Sequence, residues 1–175
     1  MYLTLSQIEH RISQLAKIIQ ASPDMLPTFG YSEQSGRPQI EVDEKGYHYV
    51  VSERGHELKR LITSDLDELL YNVFQGVTFS LACKYELDHR IHGQDSRRII
   101  FAWQEERLSE LSPSWSERRK LGHHEILKQY PFDDDASCRA DFSKALVDQG
   151  YSSEDAWKMA CEKYPLPEES SGGGK

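Results

Sequence analysis

Glu86 and His89 stand in a Glu-x-x-His spacing, which on a helix puts a carboxylate and an imidazole on one face, as in carboxylate-bridged di-metal bundles. A bundle of that kind needs two such pairs, and the other match, Glu53-x-x-His56, falls where the pattern reads as strand and turn. His89 and His92 are one helical turn apart, and His123-His124-Glu125 on a later helix could face them. Adjacent histidines point in different directions, so only one of that pair could join a cluster, and solvated surface histidines are the simpler account. Cys83, Cys138 and Cys161 show no CxxC spacing, which leaves neither a zinc knuckle nor a disulfide framework. Cys83 falls on an apolar helical run, where an inert packed thiol is expected. No Gly-x-Ser-x-Gly elbow and no glycine-rich phosphate loop occurs, so nucleophilic and nucleotide chemistry lack their usual scaffolds. No cofactor and no enzymatic activity is expected. The competing class is a small metal-dependent enzyme using Glu86, His89, His92 and His123 or His124, with a regulatory adaptor as a further alternative.

Charge narrows the partner. Twenty-nine acidic against 21 basic residues give −8, which disfavours a nucleic-acid binder that neutralises phosphates and favours a basic partner. The balance is uneven: residues 132–175 carry 5 basic and 10 acidic side chains, and this quarter is the acidic part. Apolar runs fall far short of the ~20 residues that a membrane-spanning helix requires, and the start MYLTLSQIEHR lacks a basic, then apolar, leader pattern. A cytoplasmic protein without membrane contact is expected. Trp103, Trp115, Trp157 and nine tyrosines offer the side chains that anchor protein interfaces, with ordinary packing as the alternative. Trp115, Tyr47 and Tyr49 are the aromatic candidates.

The elements that must position these groups read as α+β. Thr4-x-x-Gln7 is a capping box, with Leu3 and Ile8 as its hydrophobic staple, and Leu5, Ile8, Ile12, Leu15 and Ile19 line one face of a helix to about Gln20. Residues 21–38 form a packed loop anchored by Met25, Leu26, Phe29 and Tyr31, with Gly30 and Gly36 in unusual backbone angles. Residues 39–62 alternate as a three-stranded antiparallel meander with turns at 43–46 and 54–55. Thr63 or Ser64 caps a long central helix whose first turn carries Asp65, Asp67 and Glu68, the sign that suits a helix N-terminus. Further helices are expected from Asp95 to about Leu111, from a Ser114–Glu117 capping box to about Tyr130, and over about 137–149 and 153–164. The helices pack on one face of the sheet and leave the other free. Residues 1–165 make one domain with an acidic helical extension at 137–165, and 166–175 make a flexible tail.

Charged groups have structural uses as well as interface uses. Arg97 and Arg98 could pair with Asp67 or Glu53, and Arg90 suits a helix end. Asp133, Asp134 and Asp135 changed together to Asn are expected to slow association with a basic partner while leaving thermal stability nearly unchanged.

The strings GYSEQSGRPQIEVDEKGYHYVVSERGHEL, TSDLDELLYNVFQGVTFSLACKYELDHRI, RRIIF and YPFDDD resemble the immunity protein 63 family from about Leu3 to Asp135. These are small α+β proteins encoded beside bacterial polymorphic toxins. The resemblance implies a non-enzymatic inhibitor that binds a cognate toxin domain, with a basic nuclease as the toxin class that the acidic balance suits. It carries over Glu53, Arg54, Gly55, Glu57, Asp65, Asp67, Glu68, Arg90, Arg97 and Arg98 as motif positions. With Trp115, Asp133, Asp134 and Asp135 added, the candidate partner contacts are Glu53, Arg54, Glu57, Asp65, Asp67, Glu68, Trp115, Asp133, Asp134 and Asp135.

Overall fold

Helix α1 (Leu5–Ile18) opens with the expected box: Gln7 N–H donates to Thr4 Oγ1 at 3.4 Å and Thr4 N–H donates to Gln7 Oε1 at 2.9 Å. Its apolar face buries Ile8, Ile12, Leu15 and Ala16, and it stops short of Gln20, which takes a φ of 55° that no helix continues. The computed structural model describes residues 2–167, so the expected tail, apart from Leu166 and Pro167, lies outside the described residues.

The connection that follows is packed, as its apolar residues require. Leu26 is buried, and Met25 and Phe29 lean on the core, whereas Tyr31 is exposed and anchors nothing there. Gly30 donates its N–H to the Ile40 carbonyl at a φ of 78°. The connection also contributes β1 (Thr28–Phe29), which pairs parallel to β2 (Ser35–Asp43) and adds a fourth strand to the expected meander. Two residues are too short for any alternation to betray a strand.

Strands β2, β3 (Gly46–Glu53) and β4 (His56–Thr63) are antiparallel, and the sheet order is β1-β2-β3-β4. Gly46 is obligatory: its φ is 135°, and a Cβ there would stand 2.4 Å from the Thr63 carbonyl oxygen. The second turn has positive φ at both Arg54 (50°) and Gly55 (83°), the backbone that matches strand twist in a two-residue hairpin.

Ile40, Tyr47 and Tyr49 point into one core with the apolar faces of α1 and α2 (Leu66–Asp88), including Leu69, Val73, Phe74 and Val77. Tyr47 and Tyr49 are therefore packing residues, not interface anchors, and the Tyr47 hydroxyl accepts from the Leu3 N–H at 3.0 Å. Helix α2 is capped one residue later than expected. Thr63 is still paired in β4, its hydroxyl accepts from Asp65 N–H, and Asp65 itself caps by accepting from Asp67 N–H at 2.9 Å.

Helix α3 (Arg97–Leu111) packs along α2, and α4 (Pro113–Gln129) packs along α3, so these two extend the helical layer outward from the sheet. The Ser114–Glu117 box does not form. The helix starts instead at Pro113 behind Ser112, because proline at the first position has no N–H to leave unsatisfied. Helices α5 (Ala136–Asp148) and α6 (Ser153–Lys163) turn at Gly150 and pack chiefly on each other, with Ser152 Oγ accepting from Asp155 N–H at 3.1 Å.

Candidate partner-binding surface

The β3–β4 hairpin brings three of the candidates together. Gln34 clamps the turn, its carbonyl accepting from Arg54 N–H and its Oε1 accepting from Gly55 N–H at 2.8 Å. Held in this backbone, the Arg54 side chain is 88% exposed and, among the described residues, pairs only with Glu53, at 3.6 Å. Glu57 lies across the hairpin and grips Arg60 through both carboxylate oxygens.

Arg60 is the hub of a network on the sheet face turned away from the helices. Its Nη1 donates to Glu41 at 2.9 Å and to His48 Nδ1 at 2.8 Å. The His48 Nε2 proton then goes to Asp43 at 2.9 Å. The contact with Arg60 assigns this tautomer, since a guanidinium can only donate. Hydrogen bonds from Lys45 N–H and then from His48 hold the Asp43 carboxyl below its usual range, and the Arg60 guanidinium does the same for Glu57. Val50 is fully buried on this face, outside the main core, opposite Gln39 and Arg60 in the register.

A second group sits at the start of α2 and is occupied with packing. Trp115 from α4 is buried, stacks on Phe74 with centroids 6.1 Å apart, and meets Tyr71 edge-on at 6.4 Å. Its indole N–H donates to both Asp67 oxygens at 3.1 Å. Glu68 pairs with Arg118, whose guanidinium also covers the Tyr71 ring at 3.8 Å. Asp67, Glu68 and Trp115 thus join α4 to α2, Asp65 caps α2 alone, and Trp115 presents no free ring to a partner.

Two of the third group, Asp133 and Asp134, are equally engaged. Asp133 pairs with Arg139, whose side chain is 2% exposed, and Asp134 pairs with Arg98 at 2.8 Å while accepting from Asp95 N–H. Arg98 above all holds the Asp134 carboxyl down at about 2. Arg97 bonds Asp95 and the carbonyls of Tyr130 and Pro131, so neither arginine meets Asp67 or Glu53 as expected. Changing all three aspartates to Asn therefore removes the charge that pairs with Arg139 and Arg98, and a lower thermal stability is expected in place of an unchanged one. Asp135 stands at the N-cap of α5 and makes no capping hydrogen bond with its carboxylate.

The metal candidates are not assembled. Glu86 is bound by Arg90 through both oxygens, and the His89 ring stacks on Tyr85 at 3.8 Å. His123 is buried between helices, far from a ligand role: its Nδ1 lies 2.6 Å from Glu105 Oε1, Arg119 Nε donates to its Nε2 at 2.9 Å, and Gln104 Oε1 is 3.1 Å from that same nitrogen. Among the described residues no group of three or more His, Cys, Asp or Glu is placed to hold a metal ion. Burial lowers the His123 pKa from the usual 6.5, Arg119 adds to the effect, and Glu105 opposes it. A group protonated more readily unfolded than folded takes up protons on unfolding, so its contribution to stability is complete above pH 6.5 and declines as pH falls below it. The melting temperature of the chain should drop between pH 7.5 and 5.5, and His123→Gln should flatten that slope; an unchanged slope would show that His123 is not its source.

Gln39, Glu41, Asp43, His48 and Arg60 escaped the sequence argument. Their signal was present in the strand alternation, which puts Gln39, Glu41 and Asp43 on one face, yet which face meets the helices depends on register.

Residues 43–125 match the family model described as Immunity protein 63, a span from the end of β2 to late α4 and shorter than the resemblance read from about Leu3 to Asp135. The comparisons with curated proteins and with solved structures found no match. No helix among the described residues is long and apolar enough to cross a membrane. The matched span contains β3, β4, α2 and α3 whole, and with them the hairpin and most of the outer network; the match supports a place for the chain in the immunity protein 63 family, the non-catalytic bacterial immunity proteins of polymorphic toxin systems, whose partner in general terms is a cognate toxin.

Proposed function

We propose that the chain neutralises its cognate toxin by stoichiometric binding inside the producing cell, and that the toxin is a nuclease with a basic substrate cleft. The family match carries the reading, and the net charge of −8 supports the choice of toxin class. A nuclease must attract phosphates, so its cleft is cationic, and an acidic protein is drawn to it by the same field. Glu53, Arg54 and Asp135 are the earlier candidates least engaged within the chain, Glu57 and Asp134 are ion-paired yet nearly half-exposed, and Asp65, Asp67, Glu68, Trp115 and Asp133 serve within the chain.

The test uses the toxin domain encoded beside this chain, purified separately. A one-to-one complex is expected that abolishes cleavage of nucleic acid by the toxin, with an association rate falling at least tenfold between about 25 mM and 500 mM salt as charge screening sets in. Co-expression should rescue a host from the toxin. A toxin with no nuclease activity would overturn the class, and failure to bind or rescue would overturn the neutralising role.

A further inference from the structure

We propose that the outer face of the β-sheet is where the toxin docks, and that what it receives there is a protein surface bearing lysine and arginine side chains. The inference rests on the immunity reading. Helices α1 and α2 both pack on the face of Ile40, Tyr47 and Tyr49, which leaves the rows of Gln39, Glu41 and Asp43, of His48, Val50 and Ser52, and of Arg60 and Ile62 without a covering layer among the described residues.

Hydrogen-bond chemistry selects the occupant. Three carboxylates, Glu41, Asp43 and Glu57, face one guanidinium, Arg60, and their side chains keep 37%, 48% and 44% of their exposure despite the contacts they make. Beneath them Gln39, only 7% exposed, donates from Nε2 to Glu41, while its Oε1 is buried with no donor. The face therefore has acceptors in excess and donors in deficit, and a side chain that only donates is what complements it. A second copy of this chain would bring the same surplus of carboxylates against it, so self-association does not fit.

Apolar contact is available beside the charges. Ile62 is 45% exposed in the row of His48 and Arg60, and Leu58, the unpaired residue of the β4 bulge, is 61% exposed. Such residues next to half-exposed charges supply apolar area for the centre of a specific interface, with the carboxylates as its polar rim. The arrangement also explains why Val50 and His48 are buried on a face that no helix of the described residues covers: Arg60 bonds His48 and Glu41, Gln39 bonds Glu41, and Gln39 and Arg60 flank Val50, which makes a preformed platform.

Changing Glu41 or Asp43 would break the network, so the variant to make is Leu58→Arg with Ile62→Arg, which touches neither carboxylate and cancels the local charge surplus. Binding to the toxin domain encoded beside this chain is measured by calorimetry, together with the melting temperature and with Leu121→Arg, on the exposed side of α4, as control. The expected result is a loss of at least 100-fold in affinity for the double variant at an unchanged melting temperature, and less than twofold for the control. A double variant that binds within threefold of the parent overturns the docking face and leaves the immunity reading standing; a parent chain that binds no toxin overturns both. Carbodiimide labelling of the unmodified complex needs no variant: Glu41, Asp43 and Glu57 should be protected relative to the free chain, and equal labelling overturns the proposal.

Discussion

Trp115→Ala will destabilise the chain by about 3–5 kcal/mol, the usual cost of deleting a large buried aromatic, and lower its melting temperature by roughly 6–20 °C. The reason is positional. Trp115 is the point where α4 reaches past α3 to the start of α2, filling the space between Phe74 and Tyr71 and closing on Asp67. Alanine leaves a cavity the rigid helical layer cannot close, removes two aromatic contacts and strips Asp67 of its indole donor. Trp115→Phe separates these effects: it keeps a ring against Phe74 and loses the hydrogen bond to the exposed Asp67 carboxylate, at a cost near 1 kcal/mol. Urea unfolding of the two variants measures the difference. Affinity for the toxin, corrected for the folded fraction, should be the same in both; a Trp115→Ala chain that keeps its stability and loses binding would make Trp115 an interface anchor after all.

That contrast shows where the sequence is informative and where it stops. The capping box at Thr4, the helical face through Ile8 and Ile12, and the hairpin turn at Arg54-Gly55 are decided by residues three or four apart, so they are legible. The roles of Trp115 and Asp67 are decided by residues 48 positions apart, those of Glu68 and Arg118 by 50, and those of Arg98 and Asp134 by 36. A carboxylate already paired looks the same in a sequence as one free to meet a partner. For this reason Asp133 and Asp134, which read as contact residues, also serve as a joint, while Glu41 and Asp43, which read as ordinary strand residues, stand on a face that no described helix covers. Residue type is equally ambiguous for the aromatics, because Trp and Tyr suit interfaces and cores alike; burial separates them, and burial of Tyr47 and Tyr49 follows from which sheet face the helices choose.

Arg139→Met will have the second large effect, and it will be local. The Arg139 side chain is 2% exposed and fully committed: Nη1 and Nη2 hold Asp133 at 2.7 and 3.1 Å, Nε donates to the Tyr164 carbonyl at 2.7 Å, and Nη2 also donates to the Pro165 carbonyl at 2.8 Å. One guanidinium thus ties the segment before α5, α5 itself and the chain leaving α6. Methionine fills similar volume but donates nothing, so two carbonyls and a carboxylate lose their partner at once. Removing one member of a buried ion pair costs about 3–5 kcal/mol. Because α5 and α6 pack chiefly on each other, this loss should loosen residues 136–163 before it unfolds the sheet and α2. Amide hydrogen exchange should accelerate by a factor of ten or more in α5 and α6 while the protected amides of β3 and α2 keep their rates. Adding Asp133→Leu should recover part of the stability, since it removes the stranded carboxylate, and only part, since the Tyr164 and Pro165 carbonyls still lack a donor. Uniform acceleration across the whole chain would mean that Arg139 supports the global fold and that the helical pair does not open separately.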